Sequence, residues 1–87
     1  MSTPAVADIL LTVTEIATAE IGVPAVELGS DVDLRGVAGV DSVRVLRMVA
    51  RIERAYDIEL DDQDVFGMST LADVAAVVHK ALAEVPA

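Results

Sequence analysis

Three stretches of this 87-residue chain set apolar side chains three and four positions apart, and that spacing leaves little but helices to build with. In the first, Val6, Ile9, Leu10, Val13, Ile16 and Ala17 share one face. In the second, apolar residues fall at Val43, Leu46, Val49 or Ala50, Ile52 and Tyr56. In the third, Leu71, Val74, Ala75, Val78 and Leu82 line up. A single apolar stripe is buried only against another element, so the expectation is a small all-α bundle around one core.

Helix breakers and caps place the boundaries. Thr3-Pro4 reads as the start of helix one, because proline is tolerated at the first helical position. Gly22-Val23-Pro24 ends it after about Ile21. A connection of nearly twenty residues follows, from Gly22 to Val40, which is long for so small a domain. Val26, Leu28, Val32, Leu34 and Val37 are spaced to pin it over the bundle, with a short turn expected at Asp31-Val32-Asp33-Leu34. Helix two is expected from Ser42 to about Tyr56, after which Ile58 and Leu60 tuck the chain back toward the core. A short third helix fits Asp61 to Phe66, its acids near the positive N-terminal end. Thr70-Leu71-Ala72-Asp73 reads as a capping box with Asp in place of the usual Glu. Val85-Pro86-Ala87 is expected to fray. The whole of residues 1–87 is expected to form one domain, with three longer helices and a short one.

Composition narrows the function. Hydrophobic residues make up 54% of the chain, with one Tyr, one Phe and no Trp, so the core is aliphatic. The absence of cysteine excludes a disulfide framework, a thiolate zinc site and a thiol nucleophile on the polypeptide. A net charge of −9 argues against nucleic acid as a partner. The start Met1-Ser2-Thr3-Pro4 lacks signal-peptide character, and no apolar run approaches the roughly 20 residues that span a bilayer. The expectation is a cytoplasmic monomer that does not use a membrane.

The run Gly39-Val40-Asp41-Ser42-Val43 sets a serine where a loop becomes helix two. Asp41 is suited to cap the first backbone N–H groups, which leaves Ser42 at the first turn. A phosphodiester built on that hydroxyl would meet free N–H groups and the positive end of the helix dipole. Ser42 is thus a candidate attachment point for a phosphate-linked arm.

The stretch GVDSVRVLRMVARIERAYDIEL, from Gly39 to Leu60, resembles the modification site and second helix of acyl carrier proteins. The resemblance continues through Asp61-Asp62-Gln63-Asp64-Val65-Phe66 and Ser69-Thr70-Leu71-Ala72-Asp73-Val74, similar to the family's third and fourth helices. It covers the chain from about Val6 to Ala83 and includes the long first connection. It implies a freestanding carrier rather than an enzyme, with 4′-phosphopantetheine attached to Ser42 by a separate phosphopantetheinyl transferase using coenzyme A and Mg²⁺. Acyl groups would ride on the arm as thioesters between acyl-loading and acyl-accepting enzymes. Asp41 would either orient the transferase or its metal, or serve only as a helix cap. Aspartate immediately before the serine favours the acyl branch over peptidyl carriers, which often show G-G-[HDN]-S there. A peptidyl or aminoacyl carrier stays open, as does an interaction module that never receives the arm.

Helix two departs from the family pattern in charge. Arg44, Arg47, Arg51 and Arg54 are spaced three, four and three, and Glu53 is the only acid among them, giving the helix +3 and leaving −12 on the remainder. In many acyl carriers this helix is acidic and docks on basic patches. Two readings compete: a solvated face paired with nearby acids such as Asp57, or a docking surface for a dedicated, polyketide-type pathway rather than housekeeping fatty-acid enzymes. The candidate partner-binding residues are Arg44, Val45, Arg47, Arg51, Arg54 and Phe66. By spacing, Val43 and Met48 are assigned to the core and Val45 to the solvent side, while Phe66 fits either core filling or exposed recognition. Asp31-x-Asp33 and Asp61-Asp62-x-Asp64 lack EF-hand spacing, so no metal site is expected. His79 has no triad-like partner and reads as a surface residue near the end of helix four.

Overall fold

The computed structural model describes residues 3–37 and 40–84. The end expected to fray at Val85-Pro86-Ala87 lies outside the described residues. Among the described residues there are four helices: α1 (Val6–Ile21), α2 (Ser42–Tyr56), α3 (Asp62–Gly67) and α4 (Leu71–Glu84). Two short 3₁₀ turns, Ala25–Leu28 and Leu34–Gly36, interrupt the long connection, and no strand occurs among the described residues. The Cα radius of gyration is 12.2 Å, close to the roughly 12 Å expected of a folded chain of this length.

The core is aliphatic. α1 is the central helix, packing most extensively on α4 and next on α2. It contributes Ile9, Val13, Ile16, Ala17 and Ile21; α2 adds Met48 and Ile52, and α4 adds Leu71, Val74, Ala75 and Val78. Leu10 and Leu82, expected inside, are partly buried against this cluster.

Helix one starts later than expected. Ala5 is extended and is the N-cap, and its carbonyl accepts from Asp8 N and Ile9 N at 3.0 and 3.1 Å. The first turn therefore reaches beyond the core, and Val6 is exposed. At the other end Gly22 takes φ 82°, the left-handed cap that glycine adopts without strain, and its N–H reaches the Thr18 carbonyl at 2.9 Å.

The long connection is held by some of its expected anchors. Leu28 and Leu34 are buried and Val37 packs against the core, whereas Val26 and Val32 are exposed. Backbone bonds complete the hold: Leu34 N donates to Ser69 O at 2.8 Å, and Ala72 N to Ser30 O at 3.1 Å. Arg35 Nη2 donates to Ser69 Oγ at 2.8 Å. The connection is thus tied to the start of α4.

α2 ends on Asp57, a non-glycine residue at φ 55°. The turn is fixed by Glu53, whose carbonyl accepts from Ile58 N at 3.0 Å and whose carboxylate accepts from Leu60 N at 2.8 Å. Ile58 is buried and Leu60 partly so, as expected. α3 begins one residue later than expected because Asp61 serves as its N-cap. The capping box at α4 is reciprocal. Asp73 N donates to Thr70 Oγ1 at 3.1 Å, while the Asp73 carboxylate accepts from Thr70 N at 3.2 Å and Ser69 N at 3.0 Å.

Candidate functional site

Ser42 is the first residue of α2, and its side chain is exposed. Asp41 is extended, at φ −133° and ψ 172°, and its Oδ1 accepts from Arg44 N at 2.8 Å. The Asp41 carbonyl accepts from Val45 N at 3.0 Å, which closes the first turn. The N–H groups of Ser42 and Val43 precede any intrahelical acceptor, so the serine hydroxyl stands beside donors the helix itself cannot satisfy. No described acid follows in the first turn to compete for that positive end. This arrangement fits a phosphodiester: an accessible oxygen, with backbone donors and the dipole at its root.

The face of α2 opposite the core differs from the sequence reading. Met48, Val49 and Ile52 are buried, and Val45 and Tyr56 pack partly against them. Val43 and Leu46 are 56% and 61% exposed. Val43 is therefore not core, and Val45, placed by spacing nearer solvent, is half inside. At 100° per residue, Val43, Leu46, Arg47, Ala50 and Arg54 point away from the stripe centred on Met48 and Ile52. The stripe was misplaced because this helix carries more apolar residues than one face can bury.

The four arginines separate into two pairs. Arg51 Nη1 lies 3.0 Å from Glu20 Oε1 in a partly exposed ion pair, worth at most about 1 kcal/mol. Arg44 Nη1 donates to the Glu20 carbonyl at 2.8 Å, and its Nε is 3.9 Å from Asp41 Oδ2. Among the described residues, Arg47 and Arg54 have no hydrogen-bond or ion-pair partner. The suggested pairing with Asp57 does not form; Glu20 of α1 takes that role for Arg51. Glu20 was missed because it lies 24 and 31 residues from its partners. Its signal was local: an acid in the last turn of a helix faces the negative end of the dipole and calls for a cation.

Phe66, on α3, is 84% exposed and fills no core. His79 is half-buried rather than fully at the surface. The Asp73 carboxyl is held below the usual carboxylate range, first by the Ser69 N–H and then by that of Thr70. Among the described residues no group of three or more His, Cys, Asp or Glu side chains could hold a metal ion. Nor is any described helix long and apolar enough to cross a membrane.

Comparison with known proteins bears on this site. A family model described as "Phosphopantetheine attachment site" matches residues 11–78, most of the chain, with Ser42 inside the match. The chain is 30% identical over 74 residues to the protein named "Acyl carrier protein" of Exiguobacterium sp. strain AT1b, covering 85% of this chain and 94% of that one. It is likewise 30% identical over 72 residues to "Acyl carrier protein" of Prochlorococcus marinus strain MIT 9515, covering 83% and 90%.

Proposed function

Because this chain belongs to the acyl carrier protein family, a family of carriers rather than enzymes whose cofactor is covalent 4′-phosphopantetheine, we propose that Ser42 is the residue bearing the arm. The observation that carries the assignment is the position of Ser42: exposed, first in α2, within the matched span and directly after a capping aspartate. The arm supplies a terminal thiol that holds acyl groups as thioesters, chemistry this cysteine-free polypeptide does not offer itself.

The residues around Ser42 present and orient its oxygen. One Asp41 carboxylate oxygen, Oδ1, accepts from Arg44 N and the other lies 3.9 Å from Arg44 Nε, so the residue serves as the cap that presents Ser42. The phosphopantetheinyl transferase meets that hydroxyl at the start of α2. The outward face of α2, with the exposed Phe66, is the surface presented to that enzyme and to the acyl-loading and acyl-accepting enzymes. The basic character of this helix supports service in a dedicated, polyketide-type pathway.

Incubation with coenzyme A and a broad-specificity phosphopantetheinyl transferase, followed by intact mass measurement, tests the assignment. The wild type is expected to gain one phosphopantetheine and Ser42→Ala none. Gain on the folded Ser42→Ala variant, or none on wild type across several transferases, would overturn it.

A further inference from the structure

We propose that Glu20 sorts the arginines of α2, bracing Arg44 and Arg51 to α1 and leaving Arg47 and Arg54, beside Val43 and Leu46, to meet an acidic, apolar-seated surface on the enzyme that modifies Ser42. The inference rests on the reading of α2 as the surface that enzyme meets.

Two observations carry it. First, Glu20 engages Arg44 through its carbonyl at 2.8 Å and Arg51 through its carboxylate at 3.0 Å. Arg47 and Arg54, two turns apart, have no partner among the described residues. Second, these two cations share a face with Val43 and Leu46, both more than half exposed. Apolar ground flanked by cations fits a partner patch of the inverse composition, with an apolar seat and carboxylates at its rim.

Charge elsewhere fixes the orientation. Outside α2 the chain carries −12, so its net charge disfavours an acidic surface there and favours the α2 face, which begins beside Ser42. Glu20 sets how much positive charge is available there: its carboxylate neutralises Arg51, so the free charge lies in the stripe directly opposite the core.

The test uses the full-length chain and the phosphopantetheinyl transferase of the same genome, with coenzyme A, measuring arm transfer over a range of NaCl. Arg47→Glu/Arg54→Glu is expected to lower kcat/KM roughly tenfold or more at low salt through KM, the gap closing as salt rises. Glu20→Gln releases Arg51 and is expected to steepen the salt dependence of KM beyond Glu15→Gln, which removes an exposed acid of the same helix. Circular dichroism confirms folding of each variant.

A neutral effect of Arg47→Glu/Arg54→Glu, or equal salt dependence for Glu20→Gln and Glu15→Gln, would overturn the proposal. Such a result beside an inactive Ser42→Ala would leave the attachment site standing. Sedimentation showing self-association lost in Arg47→Glu/Arg54→Glu would overturn it too, by assigning the face to a second copy of this chain.

Discussion

At the scale of single residues, Asp41 decides how Ser42 is presented. Its Oδ1 accepts from Arg44 N at 2.8 Å, and it alone caps the helix that begins with the serine. Asparagine caps about as well as aspartate, whereas alanine forfeits about 1 kcal/mol. If capping is its whole contribution, Asp41→Asn keeps wild-type stability and arm-transfer rate. Asp41→Ala lowers stability by about 1 kcal/mol in urea titration and slows transfer by raising KM, because the first turn frays. Slow transfer with Asp41→Asn at unchanged stability would show that the charge itself is read by the transferase. The serine and its cap were legible because both lie within a few residues of one another, where spacing and propensity act directly. Glu20 was not, because its partners lie on another helix and only packing brings them together.

At the scale of elements, the start of α4 is the joint on which the long connection rests. Ser69, Thr70 and Asp73 form the cap, and Ser69 also receives Leu34 N and the Arg35 side chain. The capping box was readable from Thr70 and Asp73, three residues apart; the bonds from Leu34 and Arg35 to Ser69 span more than thirty residues and were not. Likewise the number and order of helices followed from periodicity, while the buried stripe of α2 was misplaced by Val43 and Leu46. Because folding lowers the Asp73 pKa, its ionised form favours the native state. That contribution is complete above the usual carboxylate range, near pH 4, and is lost as pH falls through the lower folded value. Asp73→Asn is therefore expected to be less stable than wild type at neutral pH, with the difference shrinking below about pH 4. Thermal melts between pH 2 and 7 measure this, and a difference that stayed constant or grew on acidification would refute the role of the ionised cap.

For the molecule as a whole, the question is whether its charge helps or opposes folding. Four ion pairs join the described residues, at 3.0 to 3.9 Å, and each involves a side chain at least partly in solvent. Such pairs contribute little, about 0–1 kcal/mol each, and salt weakens them. Against them stands a net charge of −9 on a body whose radius of gyration is 12.2 Å. At 0.1 M salt the screening length is about 10 Å, comparable with that radius, so adding salt mutes repulsion across the whole surface while removing only a few weak attractions. Repulsion among the acids outside α2 is the larger effect, and the aliphatic core does not respond to charge. Raising NaCl from about 10 to 300 mM is accordingly expected to raise Tm, each kcal/mol gained amounting to about 4–8 °C in a domain of this size. The same titration on Arg51→Gln, which lacks the 3.0 Å pair with Glu20, should show a larger rise, because it holds less attraction to lose and more negative charge to screen. A Tm that fell with salt would mean that the exposed pairs, led by Arg51 and Glu20, outweigh the repulsion and hold α1 to α2 more strongly than their exposure allows.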